Sequence, residues 1–520
     1  MCRALAAAAL ALALAACSVD VEGAPCRVPG EATDCPSGQA CTPALICSKH
    51  VGGCVAAGTF CTPGGRRCAG ALREACVGGD DCGVWQVVED CGASGLACGD
   101  PGGAPACVCP APAAEIVVDV AAPRGDVVPT GAAQPAACRF GTIGAALAYA
   151  RDTWPAVHPG TPAVVRAVGA ATAEAPLVFA GETFPIRIPA GVTLATASSP
   201  PAPLAWVVRA DPQTASNVLE LESGAVVEGF TLRSASATGD GIVVACGTGS
   251  APAVANDVRV EGGGFLLHGV TVTGGCGLTA SELVVSGATK SGVRVNAASP
   301  TVGVTITGGA IQGCGESGAE VLGGLLVLQG KTTGSGDVHL EIESNARHGV
   351  RAAPAPLSPR AIDLRLHLAD VHDNGEVGVL VKDLGPSSTV RISSSRLRKN
   401  TGTNVHSVYG NGRIAGGLLL WGNMPTRFEL HGNTLCANSV DQVGVYSDDR
   451  WPLSAPDCTA SNVFVKPGSG YFVYSTTELP NNEVPAENNR WSPNPPPPSL
   501  VMSADFTPSC GLATVPSFCP

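Results

Sequence analysis

The sequence predicts an all-β protein whose larger, C-terminal part winds as a solenoid of parallel, three-sided coils. Three observations predict this. The first is a recurring phrase between Val304 and Tyr446: an apolar residue, a second two positions on, a third seven on, and a small polar residue ten on. Its copies are Leu364, Leu366, Val371, Asn374; Val390, Ile392, Leu397, Asn400; Phe428, Leu430, Leu435, Asn438; and Val304, Ile306, Ile311, Cys314, with cysteine in the asparagine slot. The second is the position fourteen on in three of the copies, Gly318, Gly378 or Asn404, each followed within three residues by valine. The third is the near absence of long helical patterns. A period of roughly 25 residues, turns at Asn or Gly and abundant valine describe stacked short strands, each too short to bury anything alone.

Asn and Gly are expected at the corners because they tolerate a left-handed backbone. Stacked asparagines also hydrogen-bond along the axis as a ladder, the reading given to Asn345, Asn374, Asn400 and Asn438.

The chain has 520 residues, 66 of them Gly and 42 Pro, which suits a turn-rich β protein of more than one domain. Its net charge of −12 and the lack of any basic run longer than Arg66-Arg67 exclude nucleic acid as an expected partner. Aromatic residues are scarce, at 4%, so few ring faces are available to a ligand.

Residues 1–16 read as a secretion signal: Arg3, then an Ala/Leu run too short to span a bilayer. The run ends Leu14-Ala15-Ala16-Cys17, which resembles the lipobox of bacterial lipoproteins. That resemblance implies cleavage before Cys17 and lipidation of its sulfur, with firm anchoring by several acyl chains. Ser18 resembles the residue that accompanies outer-membrane sorting, so the expected location is an outer-membrane lipoprotein at the cell surface or the periplasmic face.

A head follows, over residues 17–110. Cys26 to Cys109 holds 13 cysteines, the density of a disulfide framework that stands in for a small core. No Cys-x-x-Cys spacing is present and His50 is its one histidine, so no metal module is expected. The odd count sends one thiol elsewhere, with Cys138 the nearest candidate outside, or leaves it free. Cys61 to Cys91 resembles a short cysteine repeat of secreted bacterial lipoproteins, and Trp85 is expected over one of its disulfides.

The β-helix is placed over residues 111–491, after the stiff Pro110–Ala114 linker. Thr142 is expected to cap a short helix with Ile143, Ala146, Leu147 and Ala150 on its buried face, closing the open end of the first coil. Phe140, Thr142, Ile143, Ala146, Leu147 and Ala150, followed by the stretch from Glu182 to Leu194 and the one from Val218 to Leu232, carry a second resemblance. They are similar to the opening of a bacterial family of right-handed parallel β-helix domains of unknown function within the pectate-lyase-like superfamily. The likeness covers about residues 115–240, and the repeats extend it to about 475. It implies the fold and leaves activity open, because that fold hosts lyases, glycosidases, adhesins and spacers.

Cys246, Cys276 and Cys314 follow corner-plus-strand units, and two of them are expected within disulfide reach. Cys436 with Cys458 and Cys510 with Cys519 are the other expected pairs. Residues 492–520 form a proline-rich tail closed by the last of these.

Pectin-cleaving relatives set two tests for catalysis. A hydrolase site needs clustered carboxylates; Asp448 and Asp449, and Arg347-His348-Gly349, are fragments of one in reversed order. A lyase site needs carboxylates around Ca²⁺ and a basic residue; Asp370, Asp373 and Glu376 lie near His372, but on a strand-to-corner stretch where their directions differ, which reads as a solvated turn. Trp421, Tyr446, Arg450 and Trp451, around Asp448 and Asp449, are the candidate ligand surface, against the alternative that rings cap the last coils. The functional expectation is a lipid-anchored, non-catalytic binding or scaffold module for polysaccharide, another surface polymer or a cell-surface protein, with no cofactor. The alternative is a polysaccharide lyase or glycosidase, and only the lyase implies Ca²⁺.

Overall fold

The structure is a computed structural model. It describes residues 27, 35, 40–41, 47–48, 60–61, 64–78, 83–92, 97–100, 105–108 and 115–119, then 138–492 with breaks at 180, 198–202, 211–216, 235–238, 247–250, 356–358, 403–414, 448, 450, 466–470 and 476–483, and finally 504–505, 510 and 516–519. The chain divides into two units, essentially the head and the solenoid.

In the head, Arg66–Ala69, Leu72–Gly78 and Gly83–Asp90 form an antiparallel sheet, with Phe60–Cys61 on its edge. Cys61–Cys76, Cys68–Cys98 and Cys91–Cys107 are bonded. Cys61, Cys76, Cys91 and Cys107 are the buried apolar residues among those described there, so sulfur takes the place of an aliphatic core. Trp85 stands opposite Cys76 in register, with the Arg67 guanidinium 4.4 Å from its ring centroid. Cys138 is disulfide-bonded too.

The solenoid is a parallel β-helix with three faces. One coil reads Ile362–His367 on face A, Ala369–His372 on face B and Val379–Lys382 on face C. Face A continues from Ile116–Asp119 to Arg427–His431, face B from Leu177–Phe179 to Arg490–Ser492, and face C from Ile186–Ile188 to Val473–Ser475. Every strand of these faces pairs in parallel with the one a coil away. Leu364, Val390 and Phe428 are in register; so are Leu366, Ile392 and Leu430, and so are Val371, Leu397 and Leu435. All nine are buried, so the apolar positions of the phrase are the inward columns. The interior is aliphatic only in its middle. Phe179, Trp206 and Phe230 pack near the first coils, and Phe464, Phe472 and Trp491 near the last.

The helix Ile143–Asp152 packs on the strands Ile116–Asp119, Val164–Val168 and Ile186–Ile188. Thr142 accepts from the Ala145 N–H at 3.2 Å, and the Glu182 carboxylate accepts from the Ile143 and Gly144 N–H groups at 2.8 and 3.0 Å. The free N–H groups of the first turn thereby find acceptors.

Asn345, Asn374, Asn400 and Asn438 line the corner between faces B and C, fully buried, and form the expected ladder. Each Oδ1 of Asn374, Asn400 and Asn438 accepts from the backbone N–H (3.0–3.2 Å) and from Nδ2 (2.9–3.1 Å) of the asparagine one coil earlier. Cys314 heads the row, its N–H donating to Asn345 at 3.0 Å. A second ladder, absent from the sequence reading, runs at the A–B corner through Ser395, Asn433, Asn462 and Asn489.

The corner asparagines are not themselves left-handed, contrary to expectation. The left-handed residue is the one before each of them: Ser344 (φ 56°), Asp373 (52°), Lys399 (54°) and Ala437 (52°). Asparagine is placed by its inward amide, which satisfies a buried corner that has no strand partners.

The cysteine expectations divide. Cys246 and Cys276 are bonded across adjacent coils, and Cys314 is free and buried, with burial pushing its thiol up to about 11, so it acts as a small hydrophobe. Near the C-terminus the pairing is crossed: Cys436 bonds Cys519 and Cys458 bonds Cys510, in place of Cys436 with Cys458 and Cys510 with Cys519. Pairing neighbours in sequence fails here because the tail returns to face B, where Cys519 meets Cys436 and Val465.

Candidate functional site

Strand alternation sends every second side chain outward, and stacking arranges those side chains in a grid. On face B, Glu341, Asp370 and Arg396 form one outward row, and Glu343, His372 and Arg398 the next. Asp370, 2% exposed, accepts two hydrogen bonds of 2.9 Å from Arg398 Nε and Nη2, and lies 3.6 Å from Arg396. His372, 8% exposed, has Nε2 at 2.9 Å from Glu341 and 3.8 Å from Glu343, and Nδ1 at 2.7 Å from Asp373. Burial pulls the His372 imidazole down, but its hydrogen bonds to Glu341 and Asp373 outweigh this, and the net shift is upward. Burial lowers His339, which lies in the field of Arg396, Asp370 and Glu341. Phe518 of the tail lies with its ring centroid 4.2 Å from the Arg396 guanidinium carbon.

This array corrects the reading of residues 370–376 as a solvated turn. Asp370 and His372 sit on a strand, while Asp373 and Glu376 lie in the corner that follows it. Glu376 belongs to another group, 3.3 Å from Arg347 and 3.5 Å from His348.

Face A carries a second charged grid. Asp363, Thr389 and Arg427 are in register, as are Arg365, Arg391 and Glu429. They line a recess of about 180 Å³. Arg391 and Arg427 both hydrogen-bond to Glu429, and Arg365 Nε donates to Asp363 at 3.0 Å. The Arg391 hydrogen bond is the main reason that the Glu429 carboxyl lies below its ordinary range.

The structure divides the candidate aromatic residues between the interior and face C. Trp451 is fully buried, edge-on to Phe428 with centroids 5.2 Å apart, so it closes an interior column. Trp421 and Tyr446 are on face C and stack on each other at 5.4 Å and 16°. Lys382 covers Trp421 from one side, and Tyr474 packs at 5.8 Å on Tyr446. The rings spend their faces on one another, which suits a cap over the last coils better than stacking on a sugar. Asp449 accepts from the Met424 N–H at 2.7 Å and holds a loop. Asp448, Arg450 and Cys17 lie outside the described residues.

No family model matches the chain, and no curated protein matches it. Among solved structures, the chain is similar to the A-module of the Azotobacter vinelandii mannuronan C-5 epimerase AlgE4, at 16% identity and a TM-score of 0.40 over 70% of this chain and 98% of that one. It is also similar to tailspike protein gp49 of the Acinetobacter baumannii bacteriophage Fri1, a capsular polysaccharide depolymerase, at 12% identity and 0.38 over 90% and 72%. At such scores these likenesses carry no argument about chemistry. The fold itself rests on the strand register above, which makes the chain an all-β parallel β-helix with a disulfide-bearing head.

Proposed function

We propose that the solenoid is a lipid-anchored, non-catalytic module that binds an acidic polysaccharide outside the cytoplasm. The observation that carries this reading is the recess on face A. Arg365, Arg391 and Arg427 line it with only Asp363 and Glu429 as countercharges, and guanidinium forks suit carboxylate or sulfate groups. Its roughly 180 Å³ falls below the usual size of a site that encloses a small molecule, about 300 Å³ or more, so it fits one charged substituent of a polymer lying on the surface. Coils spaced by about 4.8 Å offer such a polymer contacts at a fixed interval. Disulfides in both units support an oxidising, extracellular or periplasmic location. Among the described residues, no helix is long and apolar enough to cross a membrane.

Binding of the full chain to acidic and neutral polysaccharides, with product analysis, tests the proposal. Acidic polymers are expected to bind, in a salt-sensitive way. Replacing Arg391 and Arg427 together by Ala is expected to weaken binding about tenfold or more, from the loss of charge-assisted hydrogen bonds. Glu429→Gln is expected to strengthen it by releasing both guanidiniums. Cleaved product, or equal binding by the double variant, would overturn the reading. The anchor is tested separately: wild type should partition into detergent and Cys17→Ser should not.

A further inference from the structure

The face-B array holds more negative charge than it neutralises. Four carboxylates, Glu341, Glu343, Asp370 and Asp373, surround two guanidiniums, Arg396 and Arg398. With neutral imidazoles the group is two charges short of balance. One proton on His372 supplies half of that; one divalent cation supplies all of it. The geometry fits the second. Donor atoms of Glu341, Asp370 and His372 all lie within 4.8 Å of one another, and Glu343 approaches the same His372 Nε2 to 3.8 Å. Two ligands each about 2.1 Å from a tetrahedral ion sit roughly 3.4 Å apart, so small side-chain adjustments would close the shell.

The surroundings also suit an ion. Asp373 holds Nδ1 of His372 at 2.7 Å and thereby turns Nε2 toward the two glutamates, as outer carboxylates orient histidine ligands. Arg398 fixes Asp370 through both carboxylate oxygens and still leaves it lone pairs to donate. The rotamers of both buried ligands are therefore set before any ion arrives, while Glu341, the more exposed donor, leaves an entry path.

We propose that this array is a divalent-cation site, with His372 Nε2, Glu341 and Asp370 as ligands, Glu343 as the fourth donor and Asp373 as a positioning residue. One imidazole nitrogen among carboxylate oxygens selects a borderline or moderately hard ion, such as Zn²⁺ or Mn²⁺. A metal-bound imidazole nitrogen carries no proton, so the ion and a proton compete for Nε2.

Calorimetric titration of the EDTA-stripped full chain with ZnCl₂, and an electron-spin-resonance titration with Mn²⁺, test the site. One ion per chain is expected, with a heat that depends on the buffer's ionisation enthalpy because a proton leaves. His372→Gln is expected to abolish this site. Asp373→Asn is expected to weaken it about 10–100-fold and to change the pH profile, an effect a merely structural residue would not produce. Should His372→Gln fail to fold, the half-exposed Glu341→Gln carries the same test. Identical stoichiometry and affinity in wild type and in the ligand variant overturns the proposal, as does a proton-only array that shows no ion uptake at all.

Discussion

Asn400→Ala is expected to cost about 3–5 kcal/mol, the sum of several buried polar groups left without partners at roughly 1–3 kcal/mol each. The Asn400 side chain is fully buried and does four things at once. Its Oδ1 accepts from Asn374 N–H (3.2 Å) and Asn374 Nδ2 (2.9 Å), and its Nδ2 donates to the Val371 carbonyl (3.0 Å) and Asn438 Oδ1 (3.1 Å). Removal orphans both neighbours in the ladder as well as a corner carbonyl. Asn345 is the contrasting case. Its Oδ1 accepts from the Cys314 N–H, and its Nδ2 reaches the Ile311 carbonyl only at 3.5 Å. Asn345→Ala should therefore cost clearly less, because cysteine above it contributes no amide. Solenoid stability is a sum over neighbouring coils, so the loss should appear as faster amide exchange centred on residues 371–400 as well as a lower unfolding midpoint. Equal effects of the two substitutions would refute the ladder as a stabilising chain.

Much of the fold was legible because interior columns impose a spacing that survives variable coil lengths. The apolar positions of the phrase fall at fixed offsets within a coil, and Leu366, Ile392 and Leu430 follow from it directly. The helix and its Thr142 cap were legible for the same local reason. The candidate sites were legible only in part: Asp370, Asp373 and His372 stand together in the sequence, but their partners do not, because the sites form between coils. His372 meets Glu341 across 31 residues and Asp370 meets Arg398 across 28, while Arg391 meets Glu429 across 38. Unequal returns hide such pairs until the register is known. The second ladder was missed for a related reason: Ser395 holds the place in one coil that Asn433 and Asn462 hold in later ones, so no single residue type repeats. Aromatic clustering near the C-terminus was a true signal of an end, since Trp451 and Trp491 fill the last interior, and those two rings offer no face to a ligand.

Gly303→Ala is expected to be among the most damaging single-methyl additions in the solenoid, costing about 3 kcal/mol or preventing soluble folding. Gly303 opens the strand Gly303–Gln312, which runs from face A onto face B, and is in register with Leu325 of the next coil. That next coil is tight: Ser317–Gln329 runs from face C into face A without a separate turn, bending at Gly324 (φ 98°) after a register shift opposite Val295 and Asn296. The bend brings backbone against backbone. A Cβ on Gly303 would lie 1.8 Å from the Leu325 carbonyl oxygen and 2.6 Å from its carbon. Neither is the end of a flexible side chain, so relief requires the two coils to part and break their ladder of hydrogen bonds. Gly334 is the control. It sits in the exposed hairpin between Lys331–Thr333 and Gly336–Val338, with nothing within 4 Å of its would-be Cβ. Gly334→Ala should stay within about 0.5 kcal/mol of wild type. Thermal unfolding of the two variants side by side decides the matter: a Gly303→Ala midpoint as high as that of Gly334→Ala would mean that the coils part freely at this corner, and that the close approach does not constrain the stack.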